Sequence, residues 1–176
     1  MTDDRQTTFG TDGELSDRPP EATGENDFGE DRDEGETMGD YDRFTLSSLL
    51  QKAVRRSDEE VAAWCAWELA RSGFGWNLWD RLQTFVVEDL HANTRAPSLV
   101  ARYENLAERW DADSRRGQMA AVQAALVVAR ARSAREGANA VNAFHAVAKR
   151  RAEARERDEE PAHIFPVTDD DLSADG

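Results

Sequence analysis

Cysteine, lysine and, through the middle of the chain, proline are almost missing. Cys65 is the one cysteine, so no internal disulfide closes and no thiolate metal site can be assembled. No run of about 18 apolar residues occurs, which argues against a membrane span. The acidic opening Met1-Thr2-Asp3-Asp4 has no apolar stretch behind it, so no secretory signal is expected and a cytoplasmic location is. The Gly-x-x-x-x-Gly-Lys-Ser/Thr cradle of a P-loop nucleotidase is absent, as is the Gly-x-Ser-x-Gly elbow of a serine hydrolase. Gly73-Phe74-Gly75 is too short for a dinucleotide fingerprint and follows a helical stretch, not a strand. No acid and base stand at a recognisable catalytic spacing, so the chain is expected to be no enzyme and to need no cofactor.

Negative charge is what the chain has in excess. Its 176 residues carry 36 acidic and 22 basic side chains, a net charge of -14. Residues 1–40 hold a net -11 and residues 156–176 a net -7, while 41–155 hold a net +4. The first segment offers only Phe9, Leu15, Phe28 and Met38 as large apolar groups. Too little surface can be buried there to offset the entropy of ordering, so 1–40 is expected to be a disordered acidic tail. Residues 156–176 are expected to be a second, mostly disordered acidic tail. Its apolar island Ile164-Phe165-Pro166-Val167 either stays loose or docks on a partner or the core. Only Lys52 and Lys149 stand against 20 arginines. Together with the acid excess this points to a halophilic cytoplasm, where a Debye length of about 3 Å at 1 M salt screens self-repulsion. High-GC codon usage is the competing origin.

Between Tyr41 and Arg155 the composition is rich in Ala, Leu, Arg and Glu, with Pro97 alone of its kind, which favours helix throughout. Leu46, Leu49, Leu50, Ala53 and Val54 predict a helix over 45–56. Ser57-Asp58-Glu59-Glu60 predicts a capping box opening a second helix, 58–72, which Gly73 closes. A third is expected from Asn77, as N-cap, to about Ala92, and a fourth from Pro97. Asp113-Ser114 predicts the cap of a fifth, 115–134, and Gly137 separates a sixth, 138–155. The expectation is an all-α array of about six helices in one compact domain, 41–155, between the two tails.

Few side chains offer chemistry. Glu88 and His91, at i and i+3, make half a metal site with no second pair, so no metal is expected. Cys65 lies on an apolar helix face as a core thiol. Of the five tryptophans, Trp64 and Trp110 fit core positions by spacing, whereas Trp76 and Trp79 at a helix corner are candidates for a partner contact. Arg55-Arg56, Arg115-Arg116, Arg130-Arg132-Arg135 and Lys149-Arg150-Arg151 are candidate phosphate contacts or solvated helix ends.

Leu49-Leu50-Gln51-Lys52-Ala53-Val54-Arg55-Arg56-Ser57-Asp58 resembles the Lys-Ser-x-Arg-Gly-Ser-Asp segment in the C-terminal helical region of RarA-type (MgsA) AAA+ ATPases. Ala62-Ala63-Trp64 and Leu69-Ala70-Arg71-Ser72-Gly73 resemble the Ala-rich helix and turn that follow it there. Asp80-Arg81-Leu82 and Val87-Glu88-Asp89 are similar to that family's Arg-Arg-Leu helix and Ser-Glu-Asp end. Gln123 to Ala129 and Ala138-Asn139-Ala140 resemble its Leu-Ala-x-Ala and Ser-Asn-Ala elements. Arg56 replaces the glycine, Val87 the serine, and the ATPase module is absent from this chain. The resemblance implies a helical domain that forms homo-oligomers, a tetramer among them, and an accessory or adaptor role in DNA replication or repair beside a protein partner. It also implies that Arg55 or Arg81 pairs with Glu88 or Asp89, with Ser57, Asp58 and Asn139 as further motif positions. The charge split supports a second expectation, a nucleic-acid-binding module modulated by its acidic tails.

Overall fold

A computed structural model describes residues 24–111 and 114–159, together with the paired residues 8–9 and 15–16. In chain order the elements are β1 Thr8–Phe9, β2 Leu15–Ser16, α1 Arg43–Arg55, α2 Glu59–Arg71, α3 Gly75–Glu88, α4 Ala96–Trp110, α5 Arg115–Arg130 and α6 Glu136–Glu156. The two short strands pair antiparallel, Thr8 opposite Ser16 and Phe9 opposite Leu15. The rest is an all-α array. Expectations for residues 160–176, and for 1–23 apart from those four, fall outside the described residues. No helix among the described residues is long and apolar enough to cross a membrane.

Local chemistry sets the helix ends. Asp42 caps α1 by accepting from the Thr45 amide at 2.7 Å, and Ser114 caps α5 by accepting from Gly117 at 3.1 Å. The expected capping box at Ser57 does not form. Asp58 caps α2 instead, its carboxylate accepting from Val61 at 3.2 Å. Ser57 belongs to the end of α1: at φ 55° it is the left-handed residue of a Schellman turn, donating to Val54 O while Asp58 donates to Ala53 O. Gly73, at φ 84°, closes α2 in the same way, with Phe74 donating to Leu69 O.

Three other boundaries differ from expectation. Helix α3 starts at Gly75, so Asn77 is inside it and buried, accepting from the Ser47 hydroxyl of α1 at 2.6 Å. Helix α5 stops at Arg130, because the following residues pair with the end of α3. His91 donates to Arg132 O and Ala134 donates to Asp89 O, each at 2.9 Å. Gly137 then lies within the first turn of α6.

The core is assembled around α5, which packs against α1, α2, α3 and α4. Its buried face is Ala120, Ala121, Ala124, Ala125, Val128 and Ala129, small enough for neighbouring helices to approach closely. Leu46, Leu50, Leu69, Phe74, Leu78, Leu82 and Phe85 fill the space around it and are almost fully enclosed. Helix α6 is different. Among the helices it touches α3 alone, and Ala154 is its one buried residue.

Residues 24–40, expected to be part of the disordered tail, form a strap of turns laid on α2. Thr37 is fully buried. Met38 donates its amide to the Ser72 hydroxyl at 2.9 Å and Gly39 to the Glu68 carboxylate at 2.7 Å. Asp27 pairs with Arg71 at 2.5 Å, and Arg71 also holds Glu68 at 2.6 Å. Apolar content alone missed this strap, because its order rests on satisfied backbone groups and paired charge.

Candidate interaction surface

Asp89, in the C-cap position of α3, is 1 % exposed and gathers charges of three elements into one junction. Arg55 of α1 donates to it through Nε at 3.0 Å, and Gln51 reaches its other oxygen at 3.4 Å. Arg135, just before α6, approaches to 3.9 Å. Arg81 of α3 stays one step away, donating to Gln51 at 3.5 Å with its guanidinium 5.4 Å from the Phe85 ring centre. The resemblance-based pairing thus joins Arg55 with Asp89. Glu88 is exposed, faces away from the junction, and has no pair among the described residues. Helical geometry is the reason: one step along α3 turns a side chain by about 100°, so two adjacent carboxylates cannot share one inward direction.

Trp64, Trp79 and Trp110 sort opposite to expectation. Trp79 is buried beside Leu78 and Leu82, and Trp76 is half-buried with the Arg43 guanidinium 5.5 Å from its ring centre. Trp64, Trp67 and Trp110 are the exposed ones, at 36 %, 39 % and 40 %. Helix α2 turns Ala62, Cys65, Ala66 and Leu69 inward, which leaves the Trp64 and Trp67 stripe on its flank. The Tyr41 ring meets Trp64 edge-on at 5.3 Å, and the Arg71 guanidinium lies 4.4 Å from the Trp67 ring centre.

Between α2 and α5 lies a groove of about 480 Å³, lined by Trp67, Arg115, Gln118, Met119, Val122 and Gln123. Met119 is 58 % exposed. The 3.6-residue spacing of Met119, Val122 and Leu126 alone predicts a core stripe on α5, but the alanine face is the one buried: a helix wedged among four others buries its smallest side chains, and the large ones flank them. The density of alanine at 120, 121, 124 and 125 was the signal for this. Arg115 lines the groove from the first turn of α5, next to the exposed Arg116, and neither has a carboxylate partner among the described residues.

Other candidate residues scatter. Ser57 and Asp58 serve the α1–α2 turn, and Asn139 is exposed on α6. His91 faces Glu136 at 3.3 Å, and among the described residues no three His, Cys, Asp or Glu side chains converge as metal ligands. Burial pushes the Cys65 thiol up to about 12, with the nearby Asp58 charge adding to it, so the sulfur stays protonated and is a poor nucleophile. Comparison with protein-family models and with curated protein sequences returns no match.

Proposed function

We propose that this chain is a non-catalytic, self-associating accessory protein or adaptor in DNA replication or repair, built like the C-terminal helical region of RarA-type ATPases. The observation that carries it is the apolar face on α2 and α5, where Trp64, Trp67 and Met119 remain in solvent beside one groove. Exposed tryptophan and methionine beside a groove are the usual composition of a protein contact. The motif positions that carry the resemblance also act together here, since Arg55 and Asp89 tie α1 to the end of α3. Light scattering on the full chain in multimolar KCl tests self-association. A mass above that of the protomer at tens of micromolar is expected, and a strict protomer sinks the proposal.

A second reading, nucleic-acid binding restrained by the acidic tails, draws support from Arg55, Arg132 and Arg135, all exposed around the α3–α6 junction. Its test is a comparison of the full chain with a form starting at residue 24, which keeps the strap on α2. Higher affinity for duplex or single-stranded DNA in the shortened form supports it, and equal affinity at every salt concentration ends it.

A further inference from the structure

We infer that the α2–α5 groove is the receptor for residues Ile164–Asp171 of a second copy of this chain. This deepens the self-association proposed above and rests on it, naming what fills the exposed face.

The groove has two parts with different chemistry. Trp67, Met119 and Val122 make an apolar floor, and Arg115, followed in the chain by the exposed Arg116, supplies positive charge at one end. Those arginines sit in the first turn of α5, where the helix dipole already places positive charge and which itself contains no acidic residue. Two cations with no carboxylate partner among the described residues are unfavourable in that position until an anion approaches. The segment Ile164-Phe165-Pro166-Val167-Thr168-Asp169-Asp170-Asp171 carries the complementary order, an apolar block and then three carboxylates. Phe165 and Pro166 suit a tryptophan-lined floor, and the Asp run suits the arginine end.

The path of α6 favours a neighbour's tail over the chain's own. Helix α6 leaves the body at α3 and touches neither α2 nor α5. Its 21 residues extend about 31 Å at 1.5 Å each. Residues 160–163 span at most about 14 Å when fully extended. That is less than half the length of α6, which favours the groove of another protomer for Ile164. The resulting contact joins a tail to a groove, two different surfaces, and such contacts close into rings or reciprocal pairs.

The test uses full-length chains by light scattering in multimolar KCl. Met119→Glu replaces an exposed groove residue and Phe165→Asp the aromatic of the tail segment, and melting temperatures equal to wild type are required of both so that a loss of mass reports on assembly. Wild type is expected above protomer mass and each variant at protomer mass. An equimolar mixture of the two variants regains a dimer, because one supplies the intact groove and the other the intact tail. In dilute salt Arg115→Glu weakens assembly at least tenfold, and less so in multimolar KCl, where its charge is screened. An oligomer that Phe165→Asp leaves unchanged overturns the tail as occupant while self-association stands. Variants that fall to protomer mass but do not complement one another also overturn it, and a wild-type protomer removes both proposals.

Discussion

At the scale of single residues, the Asp89 junction makes unequal demands on its partners. Arg55 is partly in water, with a side chain 42 % exposed, whereas Asp89 is enclosed. Arg55→Ala leaves a buried carboxylate with only Gln51 and a distant Arg135, and should cost about 3 kcal/mol. Asp89→Ala leaves an arginine that can turn to solvent, so the loss should be smaller, about 1–3 kcal/mol. Glu88→Ala and Glu59→Ala remove exposed carboxylates and should each cost about 1 kcal/mol or less. Melting temperatures should fall in that order, and equal small shifts for all four would mean the junction contributes nothing. Cys65 gives an independent check. Its folded pKa is raised, so the stability it contributes is complete below the unfolded value of about 8.5 and is lost as pH rises from there toward about 12. A thiol reagent at neutral pH should label the native chain far more slowly than the unfolded one.

At the scale of elements, the α1–α2 turn holds a correctable strain. Ser57 has the left-handed conformation that glycine adopts without a side-chain penalty. Ser57→Gly should therefore raise stability by up to about 1 kcal/mol, while Asp58→Ala should cost about 0.5–2 kcal/mol through loss of the cap. Urea midpoints of the two variants should move in opposite directions. Gly39 is constrained for another reason. A Cβ there would lie 2.8 Å from the Tyr41 ring and 3.0 Å from the Glu68 carboxylate. Gly39→Ala should push the strap off α2 and expose its backbone to hydrogen exchange, with α3 to α5 unaffected.

For the whole molecule, the strap makes the folded unit larger than the central basic segment and ties it to pH. The Arg71 guanidinium hydrogen-bonded to Asp27 holds that carboxyl below its usual range, and the Thr45 donors do the same for Asp42. Depressed carboxyl pKa values contribute stability that is present above the unfolded value of about 3.9 and lost as pH falls through the folded one. Acid should therefore loosen the strap and the start of α1 together. Asp27→Asn should flatten the acid side of the melting curve without changing its neutral-pH shape. A form starting at residue 41 should melt well below one starting at residue 24, since it loses Thr37, Met38 and Gly39 along with the partners of Glu68 and Ser72.

The all-α class and the six helices were legible in the residue order, because helix periodicity, caps and breakers act within a few residues of one another. Gly73 as a left-handed stop and Ser114 as a cap are examples, each needing only its own turn. Tertiary packing decided the rest. Which stripe of α2 and α5 faced inward depended on neighbours far along the chain, and close packing chose alanine over the larger side chains. That choice put Trp64, Trp67 and Met119 in solvent and Trp79 in the core. The selection of Asp89 over Glu88 followed from where α1 crosses α3. The strap at 24–40 became ordered because Glu68, Arg71 and Ser72 lie on one flank of α2 and meet its amides and carboxylates, an arrangement that no local window of sequence contains.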